Sequence, residues 1–130
     1  MKFLLDTHVF LWFLSGDARL SAMWRDTIRQ PHHEVYLSVV SLWETIIKYY
    51  VGKLPLPEPP ERYLPVQRER HRIANLPLDE GSVRRLGTLP AIHRDPFDRM
   101  LICQAMEHTL TIITVDEVFQ AYPAPLLGNT

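Results

Sequence analysis

Hydrophobic positions recur along this chain in two alternating rhythms. Residues 2–6 form a short apolar run, Phe3-Leu4-Leu5, that closes on a carboxylate, which predicts a buried strand ending at Asp6. Residues 7–14 continue at helical spacing with Val9, Phe10, Trp12, Phe13 and Leu14, too much apolar circumference for an exposed helix, and Ser15-Gly16-Asp17 stops it. Ser21 is placed to cap a second helix with Met23, Trp24, Thr27 and Ile28 facing inward, ended by Gln30-Pro31. Residues 34–38 read as a second strand, followed by a helix over residues 41–50 that Gly52 closes.

The prolines Pro55, Pro57, Pro59, Pro60 and Pro65 predict a loop or helix boundary, because proline removes a backbone donor and fixes φ. Beyond them the pattern predicts a helix over residues 61–71 and a short connecting or edge strand over 73–78. A helix capped by Asp79 then runs to Leu86. Asp95-Pro96 starts another helix, with Asp at the cap, Pro at the first turn, and Met100, Leu101, Ala105 and Met106 as its apolar side. Residues 110–114 form a strand, and Asp116 opens a last short helix through Tyr122. Strands that alternate with helices imply parallel pairing through crossovers, hence an α/β layer sandwich with an open, mostly parallel central sheet.

Length and charge refine this picture. The 130 residues suit one domain spanning 1–130, and 46% hydrophobic with 22% charged residues excludes disorder and fibrous repetition. The formal net charge of −1 looks neutral. By position it is not: residues 62–99 carry eight arginines against five acids, and the rest of the chain is correspondingly acidic. The single cysteine, Cys103, can close no intramolecular disulfide and is read as a small apolar core residue. With no leader pattern ahead of the first strand and no apolar run near the ~20 residues of a membrane span, a cytoplasmic, membrane-free protein is expected.

The chemistry suggested by the pattern is acidic. In an open parallel sheet, ligands bind outside the carboxyl ends of the strands. Asp6, Glu44, Asp98 and Asp116 all fall at strand ends or in first helical turns, so they can converge there. Each has a local explanation. Ser41-x-x-Glu44 fits a capping box, Asp95 and Asp98 suit a helix start, Asp116 can cap, and Asp6 can sit in a strand-end turn. Converged, however, they would repel one another strongly unless a cation compensates, and an all-oxygen acidic site suits Mg²⁺ or Mn²⁺. His8 and His93 flank acidic motifs and could touch substrate, although a lone histidine near a strand end is more often a hydrogen-bonding structural residue, while Arg94 and Arg99 are candidates for positioning a phosphate or offsetting the acids.

Taken in order, Leu5-Asp6-Thr7-His8, Ser41-Leu42-Trp43-Glu44 with Lys48, His93-Arg94-Asp95-Pro96-Phe97-Asp98-Arg99, and Thr114-Val115-Asp116 with Phe119 and Tyr122 resemble the signature blocks of the PIN domain. More narrowly they resemble VapC-type toxins of bacterial toxin–antitoxin pairs. The resemblance implies a PIN-like α/β/α sandwich and a Mg²⁺-dependent endoribonuclease (Mn²⁺ as alternative) that hydrolyses RNA with a metal-activated water. It implies metal ligation by Asp6, Glu44, Asp98 and Asp116, with Thr114 beside the site. Asp98 is preferred over Asp95 as ligand because it begins the family's D-x-x-x-x-x-x-A pattern ending at Ala105. A VapB-type antitoxin and a second copy are implied partners, giving a homodimer and a toxin–antitoxin hetero-oligomer. The surplus of aromatic and apolar residues on the helix around Trp43 is compatible with such partners.

Residues 123–127 lack the aromatic ending of the family's last strand, which puts that strand in question. Three rival functions remain. A phospho-acceptor domain would want a late lysine, whereas the lysines are Lys2, Lys48 and Lys53. An Asp-nucleophile phosphatase would want a second Asp at position 8, which is His8. The third is a catalytically silent interaction module that uses its acidic groove to bind a protein.

Overall fold

Phe3 and Leu5 turn to one face of the central sheet and Leu4 to the other, and all three are almost wholly buried. This alternation, repeated by Ile112 and Ile113, lets one short strand anchor two apolar layers. The structure is a computed structural model and describes residues 1–127. It comprises β1 (Lys2–Leu5), α1 (Thr7–Ser15), α2 (Ala22–Arg29), β2 (Glu34–Ser38), α3 (Val39–Tyr50), α4 (Pro60–Arg70) and β3 (Ala74–Leu76). There follow α5 (Glu80–Arg84), a 3₁₀ turn (Arg85–Gly87), α6 (Pro96–His108), β4 (Thr111–Ile113) and a second 3₁₀ turn (Glu117–Ala121).

The four strands pair in the order β3-β2-β1-β4, and every pairing is parallel. The expected α/β/α sandwich is thus observed. Phe3, Phe10, Phe13, Trp24, Ile28 and Leu64 belong to the layer on one face. Leu4, residues 100–103, Phe119 and Tyr122 belong to the layer on the other. Because the chain leaves β1 toward β2 on one side and returns as β4 on the other, the connections diverge at β1. In such sheets that divergence opens a crevice at the carboxyl ends of the two strands.

Most expected elements occur within two or three residues of their expected bounds. Ser21 caps α2 by accepting from the Trp24 N–H (3.2 Å), and Asp79 caps α5 by accepting from the Ser82 N–H (2.9 Å). Gly52 closes α3 with φ +78, a conformation that favours glycine.

Three expectations need correction, and the doubt about the last strand is met. The helix after β2 begins at Val39, not Ser41, because Ser38 leaves the strand in an extended conformation and its hydroxyl accepts the Val40 N–H (3.0 Å). Ser41-x-x-Glu44 is therefore no capping box, and the Glu44 carboxylate is free for tertiary contacts. Pro65 sits inside α4 rather than in a loop, while Pro60 takes the first helical turn; buried Leu64 holds the intervening turn against the core. Met23 faces solvent at 61% exposure, leaving Trp24 and Ile28 as the inward stripe of α2. The doubtful last strand is reduced to one parallel bridge, Ile112 with Leu126, secured by bonds of 2.9 Å from the Ile112 N–H to Pro125 and from the Leu127 N–H to Ile112.

One polar contact crosses the second core layer. Gln104, fully buried on α6, accepts from the Ser38 hydroxyl (2.5 Å) and donates to the Pro77 carbonyl (3.2 Å). It ties α6 to the start of α3 and to the segment after β3. We expect Gln104→Leu to lower stability by about 1–3 kcal/mol, because it leaves the proton of the buried Ser38 hydroxyl without an acceptor and removes the bond to the Pro77 carbonyl. The urea midpoint reads this, and an unchanged midpoint would mean that the clamp adds nothing.

Candidate active site

Asp6 stands at the point where β1 ends and α1 begins, with its backbone N–H bonded to the Ile113 carbonyl of β4 (3.0 Å). Its carboxylate therefore lies at the divergence between β1 and β4. Across that divergence the Thr114 hydroxyl donates to Asp6 Oδ2 (2.7 Å) and accepts the Asp116 N–H (3.0 Å). One buried hydroxyl thus links two of the four expected acids.

Glu44 reaches the same edge from α3, where Ser41, Glu44 and Thr45 are all buried. Thr7 Oγ1 lies 2.8 Å from both Glu44 Oε1 and Ser41 Oγ. Its single proton goes to the carboxylate, which has no donor of its own. The other Glu44 oxygen is paired with the Lys48 ammonium one helical turn on.

Asp98 comes from the first turn of α6, whose N-cap Asp95 accepts the N–H groups of Phe97 (2.8 Å) and Asp98 (3.3 Å) through Oδ1. His93 shapes this turn. Its Nδ1 accepts the Asp95 N–H (3.3 Å), so its proton sits on Nε2, which donates to Asp98 Oδ2 (2.8 Å) and lies 3.7 Å from Asp116 Oδ2. The loop carrying His93 is held in turn by the Tyr122 hydroxyl, which accepts the N–H groups of Ile92 (3.1 Å) and His93 (2.6 Å).

Of the four acids expected from the sequence, Glu44, Asp98 and Asp116 come together and are joined by Asp95 and His93, while Asp6 stands beside them, near enough for its charge to act on Asp98. Two groups each have ligand atoms within 4.8 Å of one another: Glu44 with Asp95 and Asp98, and His93 with Asp98 and Asp116. Asp98 is common to both. Asp95 is thus both cap and cluster member, and His93 lies inside the site, where the sequence reading had favoured a structural part over contact with substrate. Lys48, Thr7, Ser41 and Tyr122 were not singled out as site residues, although all four stand in the signature blocks and Lys48 lies at i,i+4 from Glu44. Arg94 is exposed, whereas Arg99 turns its guanidinium to the Leu89 carbonyl (3.3 Å).

Electrostatics follow from this crowding. Burial, reinforced by the charges of Asp6, Asp95, Glu44 and Asp116, pushes the Asp98 carboxyl up to about 8. Asp6 is also raised, chiefly by burial, against the Thr114 hydrogen bond and a charge on His8 that favour its ionised form. Burial pulls the Lys48 ammonium down, but Glu44, with Asp95 and Asp98 beyond it, more than reverses this. The edge therefore gathers more negative charge than its own lysine can balance. Cys103 takes no part: it is fully buried on α6 and its thiol is raised by burial.

Similarity to known proteins agrees with this architecture. Over 57 residues the chain is 36% identical to Ribonuclease VapC16 of Mycobacterium tuberculosis, a match covering 44% of this chain and 40% of that protein. VapBC2 from Rickettsia felis, solved bound to a DNA fragment from its promoter, superposes with a TM-score of 0.73 at 15% identity over 98% of both chains. VapBC-1 from nontypeable Haemophilus influenzae gives 0.71 at 18% over 98% and 97%, and FitAcB from Neisseria gonorrhoeae gives 0.64 at 22% over 97% and 96%. At these identities the solved structures establish the fold. The sequence model of the PIN domain matches residues 3–125, nearly the whole chain, and the chain therefore belongs to the PIN domain family.

Proposed function

We propose that this protein is the endoribonuclease toxin of a VapBC-type pair, hydrolysing RNA phosphodiester bonds at the acid cluster with Mg²⁺, or Mn²⁺ in its place. The observation that carries this reading is the convergence of Asp6, Glu44, Asp98 and Asp116 from four separate segments onto one sheet edge. The similarity to a protein named a ribonuclease and the fold shared with VapBC structures support the substrate class and an antitoxin partner.

The donor set fits the ion. It is built of hard carboxylate oxygens without thiolates, and its central member, Asp98, is held up near 8 by burial and by the charges of the acids around it. Asp6, Glu44, Asp98 and Asp116 would hold the metal, with Asp95 within reach. When bound, it supplies charge against the phosphate, polarises the phosphoryl oxygen and acidifies water.

The chain's own groups prepare that site. Thr114 fixes the Asp6 carboxylate, Thr7 and Lys48 fix Glu44, and His93 Nε2–H fixes Asp98, so the oxygens are oriented before any ligand arrives. Asp116 is the most exposed of the four, which leaves the cluster open on its side. Arg94, exposed and next to His93 in sequence, is the cation assigned to a phosphate. Of the other basic residues between 62 and 99, Arg68 and Arg85 are engaged with the Ile73 carbonyl and Glu107, whereas Arg62, Arg70, Arg72 and Arg84 are exposed. The exposed stripe Trp43, Ile47, Tyr50 and Val51 on and just beyond α3 supports a second copy as partner.

Two measurements test this reading. Purified protein should cut mixed cellular RNA in Mg²⁺ and stop in EDTA, and Asp98→Asn should lower the rate by about two orders of magnitude or more while remaining folded. Mg²⁺-dependent cleavage retained by Asp98→Asn would overturn the site. Absence of divalent-ion binding by calorimetry would instead favour the silent interaction module.

The second measurement uses pH. A carboxyl raised in the folded state binds its proton more tightly there than in the unfolded chain, so its contribution to stability is full below about pH 4 and is lost as pH rises through about 8. The metal-free protein should therefore melt at lower temperature as pH climbs through that window, and Mg²⁺ should restore stability most at its upper end. Asp98→Asn should flatten the profile and raise the melting temperature at pH 8 by at least about 3 °C. A variant with the wild-type slope would place the raised group elsewhere.

A further inference from the structure

A cavity of about 570 Å³ opens between α1 and residues 54–57, the proline-rich segment before α4. Its walls include His8, Trp12, Arg19, Leu54, Leu56 and Tyr63. His8 connects it to the acid cluster. It is exposed, lies two residues from Asp6, and a charge on it acts on the Asp6 carboxyl. One helical turn further, the Trp12 ring stands 6.0 Å from the His8 ring with 31° between their planes. Beyond Trp12, the Arg19 guanidinium lies 4.6 Å from the indole centroid and is held there by Asp17 (2.7 Å).

These walls are preformed. Trp12, Leu54, Leu56 and Tyr63 pack on the first core layer, and Arg25 secures the end of α1 by donating to the carbonyls of Trp12 (3.2 Å), Phe13 (3.3 Å) and Asp17 (2.6 Å). Two prolines in 54–57 stiffen the facing wall. The cavity thus offers planar, apolar-faced groups with polar edges in a line that starts at the acids.

An RNA strand lying across those acids meets a difficulty: the charge that gathers a metal repels the phosphates flanking the scissile one. Such a strand needs a hold that does not depend on charge. Base stacking on aromatic side chains and guanidinium supplies one, and it tolerates any base. We propose that this cavity is a nucleobase subsite, receiving the base of a nucleotide next to the bond cut at the acid cluster; the inference rests on the ribonuclease reading above. The continuity of His8 with Asp6 favours an RNA strand over a protein segment as occupant.

The test uses a short single-stranded RNA containing a bond that the wild-type protein cuts in mixed RNA, and the same RNA with an abasic residue at each flanking position in turn. One abasic position should raise KM by about 5- to 100-fold with kcat changed little, the range expected for one lost stack. His8→Ala and Trp12→Leu should raise KM on the intact RNA in the same way, and either variant combined with the abasic RNA should add little further. Trp12→Phe, which keeps a ring, should retain the wild-type KM and so separate stacking from packing. Additive losses, or unchanged KM in His8→Ala and a folded Trp12→Leu, overturn the subsite. So does unchanged KM together with lost binding of a protein partner, which would assign the cavity to that partner. A wild type that cuts no RNA overturns the ribonuclease reading and the subsite with it, whereas cleavage with all variants unchanged overturns the subsite alone.

Discussion

Mutual repulsion among carboxylates gathered at one sheet edge is the constraint around which this protein is organised. At about 4 Å and an effective dielectric near 20, one pair of unit charges costs on the order of 4 kcal/mol, and the cluster holds several pairs. The fold answers in three ways. Lys48 neutralises one oxygen of Glu44, hydroxyl and imidazole donors satisfy Asp6, Glu44 and Asp98, and Asp98 keeps its proton to about pH 8. These measures reduce the repulsion without removing it, and the charge left over is what the proposed metal would balance.

The arrangement is rigid because each acid stands on an element fixed by the core. Asp6 follows directly on Phe3, Leu4 and Leu5, which are buried in both layers. Asp98 precedes a stretch of α6, residues 100–105, that lies wholly within the second layer or its polar clamp. Glu44 lies on α3, which Ser38 caps with a hydroxyl that also bonds Gln104. Apolar burial at the strands thus sets carboxylate positions at their ends, and the cost of the cluster is met by packing that would exist without it.

Much of this was legible in the sequence because short strands and amphipathic helices leave strong periodic signals. The placement of Asp6 and Asp116 at strand ends, and of Glu44 and Asp98 near the starts of helices, pointed to one edge. What was not legible depended on choices between equivalent local signals. Ser38 and Ser41 both stand where a helix cap belongs, and only the exit conformation of β2 and the pairing of Thr7 with Glu44 decide between them. Pro65 signalled a boundary, yet the burial of Leu64 carries the helix through it. His93 gave no sign in sequence that Tyr122, 29 residues away, would pin its backbone and aim its ring at Asp98.

The hardest choice at the level of sequence was between Asp95 as helix cap and Asp95 as part of the site, and the geometry shows that the two are not alternatives. A carboxylate has two oxygens. Asp95 gives Oδ1 to the N–H groups of Phe97 and Asp98 and still belongs to the group formed with Glu44 and Asp98. Asp116 does the same, capping with Oδ1 at Val118 while Oδ2 lies toward His93. A helix N-terminus brings partial positive charge and orphan N–H donors to the place where the acids crowd, which lowers the cost of holding them there. Local folding and the acidic centre therefore draw on the same residues, and a capping signal at the carboxyl edge of a parallel sheet is no argument against function.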